Sequence, residues 1–186
     1  MEIEERVLFA TPIFYSNIEI KDLDTVIKSI LDKEKIFDST HQTNIGGWQS
    51  PMFNVIDQQF EDIFKQITEM TAEIYKKYQA VNDPLLKQFW FNINRKGHYN
   101  NPHTHIKENF SGVLYLKVPE KCGNINFFNP AEKTKLEIEE YNRYTYSSYH
   151  FEPKVGDVFI FQSSLVHSVS KNETDSERIS MAFDFY

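Results

Sequence analysis

Two stretches of this chain, residues 87–95 and 177–185, alternate in a way that suits a β-sheet with two unlike faces. In the first, Phe89, Phe91 and Ile93 fall on one side of an extended backbone, and Trp90, Asn92 and Asn94 on the other, because successive strand side chains point to opposite faces. The second repeats the pattern, with Ile179, Met181, Phe183 and Phe185 opposed to Arg178, Ser180, Ala182 and Asp184. The greasy face is one that helices cover. A polar inner face is costly in a purely structural core, since each buried polar group needs a partner. A polar interior points instead to a binding cavity.

The rest of the chain fits around that sheet. From Lys87 onward, short apolar and β-branched runs alternate with Gly, Pro, Asn and Asp. Strands are expected near 87–95, 111–118, 124–128, 143–151, 157–162, 165–170 and 177–185, the spacing of a sandwich or barrel. Ahead of them, Phe60, Ile63, Phe64, Ile67, Met70, Ile74, Tyr75 and Tyr78 recur at helical spacing. This predicts a helix from Asp57 to Gln79, capped by Asp57. A shorter helix over Leu23 to Lys35 and a strand over Val7 to Tyr15 precede it. Between the helices, Gly46-Gly47-Trp48-Gln49-Ser50 has no period and reads as a loop, placed where a lid would be. At 186 residues, 40% of them hydrophobic, the chain is expected to form a single domain. Residues 1–85 would supply the N-terminal strand and supporting helices, and 86–186 the β core.

Several functional classes are disfavoured. A net charge of −7 repels phosphate backbones and anionic membrane surfaces, which argues against a nucleic-acid partner. The one cysteine, Cys122, allows neither an internal disulfide nor a cysteine zinc cluster, and a reducing cytoplasm fits it best. No stretch is long and apolar enough to span a membrane, and residues 1–16 lack the features of a secretion signal. The strand over Val7 to Tyr15 is free to pair within the main sheet or across a homodimer.

Three of the six histidines fall where a metal site would need them. His103 and His105 are two apart, so on extended backbone both imidazoles project from one face. An antiparallel return can bring His167 alongside. Three imidazoles on one side of an ion leave its other side open to O2 or a cosubstrate. The same spacing also fits a polar turn after Asn100-Asn101-Pro102, with His167 on the surface. Arg178 and Ser180 weigh against that bland alternative. A guanidinium and a hydroxyl projecting together from one strand face can clamp a carboxylate.

At these residues the chain resembles the non-haem iron and 2-oxoglutarate-dependent oxygenases over roughly 89–185. It is most similar to the prolyl-hydroxylase-type branch and to a bacterial and phage group with an SGVYYL-like strand, here Ser111-Gly-Val-Leu-Tyr-Leu116. Gly97, His103, Tyr115, Gly123 with Phe127, Pro153 with Gly156-Asp157, His167 and Arg178 occur in that family's order. The resemblance implies a mainly β fold with supporting helices, built on a double-stranded β-helix, or jelly-roll and cupin-like, core. It implies Fe(II) as cofactor and 2-oxoglutarate as cosubstrate, with O2 and an unidentified peptide side chain or small metabolite as the other reactants. His103 and His167 would then be iron ligands, and Arg178 with Ser180 would bind the distal carboxylate of 2-oxoglutarate. Tyr115 and Asn94 would line the cosubstrate pocket. The expected activity is hydroxylation with release of succinate and CO2.

One departure from the family pattern matters. The usual motif is His-x-Asp, and here His105 occupies the aspartate position. His105 as a third ligand is the favoured reading, Glu108 is the fallback carboxylate, and a degenerate, metal-free site is the third possibility. Two other functions stay open at this level: a three-histidine cupin-type iron oxygenase that uses no 2-oxoglutarate, and a non-catalytic jelly-roll binding module.

Overall fold

The alternating stretches form the middle of a large sheet, and the helices cover its greasy side. The computed structural model describes residues 3–6, 8–40, 42–131, 137 and 139–186. In chain order the elements are β1 (Ile13–Asn17), α1 (Leu23–Ile36), β2 (Asn44–Ile45), β3 (Trp48–Gln49), a 3-10 turn (Gln58–Phe60), α2 (Glu61–Lys77), β4 (Leu86–Asn94), β5 (Tyr99–His103), β6 (Phe110–Lys117), β7 (Ile125–Phe128), β8 (Ser148–Phe151), β9 (Asp157–Gln162), β10 (His167–Val169) and β11 (Arg178–Phe185). One sheet runs β1-β9-β6-β11-β4-β3 and the other β2-β5-β10-β7-β8. All their pairings are antiparallel. Two such sheets face to face, with helices on the outside of the larger, make the expected jelly-roll core. Among the described residues no helix is long and apolar enough to cross a membrane.

Two cores result. The first lies between the helices and the large sheet, where Val26 and Ile30 of α1 and Ile63, Phe64, Ile67 and Ile74 of α2 meet Phe89, Phe91, Ile93, Met181, Phe183 and Phe185. Phe91 is fully buried, with the Phe60 ring 5.1 Å away and the Phe53 ring 6.0 Å away. We expect Phe91→Ala to lower the unfolding free energy by about 3–5 kcal/mol, read from the urea midpoint at equilibrium. The second core lies between the sheets, where Val113, Tyr115, Ile125, Phe127, Phe159, Phe161 and Leu165 cluster. The inner face is therefore apolar over β6 and β9 and polar over β3, β4 and β11, rather than polar throughout.

Other expectations shift for local reasons. The 46–50 segment is no lid. Gly46, at φ +79°, turns the chain between β2 in the small sheet and β3 in the large one. Trp48, Gln49 and Ser50 are buried, with the Trp48 indole N–H donating to the Phe37 carbonyl at 2.8 Å. Asp57 does not cap a helix through its side chain; its carboxylate accepts from Lys33 at 2.6 Å instead. β1 begins at Ile13, pairs with β9 in the same chain, and ends at Asn17. The strand expected over 143–151 is confined to β8, because the Asn142 side chain and carbonyl accept from the Tyr144 and Thr145 N–H groups and fold 142–145 into a turn. Val7, His41, and residues 132–136 and 138 of the charged Glu132 to Glu140 run lie outside the described residues.

Candidate metal centre

Strand register brings the three histidines together. β5 and β10 are antiparallel neighbours with His103 directly opposite His167. His105, two residues past β5, stays alongside because its N–H donates to the Ser163 carbonyl at 2.8 Å. The ring centroids are 4.2 Å apart for His103 and His167, and 5.2 Å for His105 with either. One nitrogen from each ring lies within 4.8 Å of the others.

The hydrogen bonds show which nitrogen each ring offers. His103 Nδ1 lies 2.7 Å from the Asn101 carbonyl, His167 Nδ1 2.9 Å from the Leu165 carbonyl, and His105 Nδ1 2.6 Å from Asp184 Oδ1. A carbonyl or carboxylate oxygen at Nδ1 favours the proton there, which makes Nε2 the nitrogen each ring would offer to an ion. Outer partners of this kind are what orient metal-bound imidazoles. Burial pushes the His167 pKa down to about 3, with the neighbouring His103 adding to the effect, and burial also lowers that of His103. Both shifts favour the neutral ring at His103 and His167, the form that binds a cation such as Fe(II). Glu108 is engaged elsewhere, by the Lys87 ammonium and the Lys107 N–H at 2.9 Å.

The inner face of the large sheet is laid out in cross-strand rows. Asn94 faces Arg178; Gln49, Asn92, Ser180 and Tyr115 form the next row; Trp90, Ala182 and Val113 follow; then come Gln88, Asp184 and Ser111. The last row meets His105, and the first two hold the residues expected to form the carboxylate clamp. Arg178 is 1% exposed. Its Nη1 donates to the Cys122 carbonyl and, at 3.2 Å, to that of Ser170. Its Nη2 has no partner, nor have the Tyr115 hydroxyl and Asn94 Oδ1, all of them buried. Asn94 Nδ2 donates to Asn44 Oδ1 at 2.8 Å. Burial raises the Tyr115 pKa, against the pull of Arg178. Among the described residues no carboxylate pairs with Arg178. A buried guanidinium with a free donor edge, beside a free hydroxyl, fits a carboxylate ligand.

Gly123 makes the Arg178 cradle possible. A Cβ there would stand 2.4 Å from the Ser170 carbonyl oxygen, and its φ is +94°, so a side chain would force apart the two carbonyls that hold the guanidinium.

A cavity of about 320 Å³ opens onto His103 and His105, with Gln49, Met52, Gln88 and Trp90 in its wall. The Trp90 ring lies 5.5 Å from that of His105, and Gln49 Oε1 is buried without a partner. Asp184, Gln88, Ser111 and Ser163 are drawn into the site although sequence spacing singles out none of them. The one signal is the position of Asp184 on the polar face of β11, between Phe183 and Phe185. His98, by contrast, serves a turn, its Nδ1 accepting from the Arg95 N–H at 3.0 Å. Cys122 is buried and unpaired, and acts here through its backbone carbonyl.

The sequence matches the family described as "Putative 2OG-Fe(II) oxygenase" over residues 88–184, just over half of the chain. No curated protein matches it. The chain is similar in structure to a Pseudomonas putida prolyl-4-hydroxylase, at 14% identity and TM-score 0.68 over 94% of this chain and 92% of that one. It is also similar to a viral collagen prolyl hydroxylase from Paramecium Bursaria Chlorella virus-1 in its 2OG complex, at 15% identity and TM-score 0.60 over 93% and 94%. A third likeness is to SnoN, a non-heme alpha ketoglutarate dependent epimerase from nogalamycin biosynthesis, at 16% identity and TM-score 0.55 over 94% and 78%. At these identities the likenesses establish the fold.

Proposed function

The chain belongs to the 2OG-Fe(II) oxygenase family, with Fe(II) as cofactor and 2-oxoglutarate as cosubstrate, and from that premise we propose that it hydroxylates a C–H bond of a peptide side chain or small metabolite. Fe(II) and 2-oxoglutarate together supply the oxidising chemistry, drawing on O2 and releasing succinate and CO2. His103, His105 and His167 would hold the ion through Nε2. Arg178 and Ser180 hold the distal carboxylate of the cosubstrate, the Tyr115 hydroxyl donates to it, and Asn94 closes the rear of the pocket. Ala182, small and lying between the clamp row and the His105 row, leaves room for the cosubstrate to span them. The Trp90-lined cavity beside His105 admits the substrate and limits water.

The observation that carries this reading is the buried, uncompensated Nη2 edge of Arg178 beside the unpartnered Tyr115 hydroxyl. A three-histidine oxygenase with no 2-oxoglutarate would leave both without a function. The whole chain acts as one domain in this account, residues 1–85 bracing the sheets and 86–186 carrying the chemistry. Its single buried cysteine suits a reducing cytoplasm.

The test is turnover with isotopically labelled O2. Protein supplied with Fe(II), ascorbate and 2-oxoglutarate is expected to form succinate slowly on its own. Succinate formation should rise with the right member of a peptide and metabolite panel, whose product gains one labelled oxygen atom. No succinate from protein with bound iron would overturn the proposal. A product altered without oxygen gain would keep the oxygenase-family chemistry and remove hydroxylation.

A further inference from the structure

A ligand set of three neutral imidazoles leaves Fe(II) with its full double charge, where the family's usual carboxylate would offset one unit. The structure holds a carboxylate close by, and nothing in the expected cosubstrate clamp uses it. Asp184 is 1% exposed and sits on β11 between Phe183 and Phe185, both fully buried, so its backbone is fixed by the core on the opposite face. Its Oδ1 lies 2.6 Å from His105 Nδ1 and accepts from the Ser111 hydroxyl at 2.7 Å. Its Oδ2 accepts from Gln88 Nε2 at 2.9 Å. Ser111 also meets the Ser163 hydroxyl at 2.8 Å, and Ser163 returns its carbonyl to the His105 N–H. Ring, backbone and carboxylate of this one histidine–aspartate pair are thus tied into a closed network.

Among the described residues no lysine or arginine pairs with Asp184; its one ionic partner is His105. A buried carboxylate is expensive unless it is hydrogen-bonded, and the His105 ring, the Ser111 hydroxyl and the Gln88 amide supply those bonds. A divalent ion held on the far side of the His105 ring would add an opposite charge one imidazole away. Gln88 and Ser111 flank Asp184 in register on β4 and β6, so three adjacent strands contribute to holding it. This differs from the outer partners of His103 and His167, which are backbone carbonyls and carry no charge.

We propose that Asp184 is a positioning residue for the metal centre: it fixes His105 with Nε2 toward the ion and supplies, one imidazole removed, the negative charge that the three-histidine ligand set lacks. The proposal rests on the reading of His105 as a ligand.

Co(II) binding to metal-stripped protein tests it, together with the midpoint potential of the iron form. Asp184→Asn keeps the size and an acceptor oxygen and removes the charge. It is expected to weaken Co(II) binding about 10- to 100-fold, the usual range for an outer partner of a metal histidine, and to raise the Fe(III)/Fe(II) potential. Ser111→Ala, a milder change that leaves the carboxylate in place and removes the hydroxyl that contacts Asp184, His105 Nδ1 and Ser163, is expected to shift both quantities in the same direction by less. It keeps the test available if Asp184→Asn folds poorly. His105→Ala serves as the control. Wild-type affinity and potential in Asp184→Asn, with binding lost in His105→Ala, would overturn the role of Asp184 and leave the ligand reading standing. Wild-type affinity in His105→Ala would overturn the ligand reading and the proposal with it. A purely structural Asp184 would lower the denaturation midpoint and leave both metal readouts unchanged in the folded protein, which also counts against the proposal.

Discussion

Replacing Arg178 with alanine is expected to raise the apparent Michaelis constant for 2-oxoglutarate by roughly one and a half to three and a half orders of magnitude, with Fe(II) affinity changed little. Truncating one partner of a buried, hydrogen-bonded charge pair costs about 2–5 kcal/mol, and each 1.4 kcal/mol is roughly tenfold in affinity. The separation of effects follows from the layout of the sheet. Arg178 lies at the end of β11 opposite Asn94, three rows from the Asp184 row that meets His105, and the structure gives it no bond to any of the three histidines. Arg178→Lys should recover part of the loss, since an ammonium keeps the charge but not the planar guanidinium, whose Nη1 bonds the Cys122 and Ser170 carbonyls while Nη2 stays free for a ligand. Succinate formation followed against 2-oxoglutarate concentration measures this. An unchanged Michaelis constant would remove the clamp assignment.

His167→Ala is expected to abolish iron retention and, with it, succinate formation. The apparent binding free energy of four-ligand structural zinc sites, about 10–16 kcal/mol, sets a scale near 3 kcal/mol per ligand, or more than 100-fold in affinity. His167 has no substitute nearby. Its ring is packed between Phe161 at 4.6 Å and His103 at 4.2 Å, and the cluster contains no carboxylate among the described residues. His103→Ala is expected to behave in the same way. Glu108→Gln is expected to leave metal binding as it was, because Lys87 and the Lys107 N–H already occupy that carboxylate. Metal content after dialysis against dilute Fe(II), without chelator or nickel affinity resin, separates these outcomes. Retention of iron by His167→Ala would place the metal elsewhere.

The parts of this architecture that were legible in the sequence are those governed by short-range period. β4 and β11 announce their two faces through strict alternation, and α2 announces its core face through repeats at helical spacing. The histidines are legible because a spacing of two on extended backbone is itself a statement about direction, although β5 ends at His103 and a backbone bond to Ser163 keeps His105 alongside. What sequence reading missed depends on neighbours from distant parts of the chain. β2 and β3 are two residues each and exist because β5 and β4 offer them free edges, which no local pattern around Gly46 and Gly47 reveals. The apolar half of the inner face arises where Phe159 and Phe161 of β9 meet Phe127 of β7, a pairing of sheets rather than of adjacent residues. Asp184 looks like any polar-face residue until Gln88 and Ser111 flank it in register and His105 arrives from the segment just past β5. Asp57 looks like a helix cap until Lys33 of α1 claims its carboxylate.

We place Fe(II) on three imidazoles and 2-oxoglutarate on Arg178, at opposite ends of the polar face of one sheet, with the cosubstrate reaching from the one to the other. An anaerobic visible difference spectrum tests this placement most directly, recorded as Fe(II) and then 2-oxoglutarate are added to metal-stripped protein. The account predicts a charge-transfer band that appears only when both are present, requires His105, and needs far more 2-oxoglutarate in Arg178→Ala. Protein that binds Fe(II) yet gives no band at any 2-oxoglutarate concentration would contradict it.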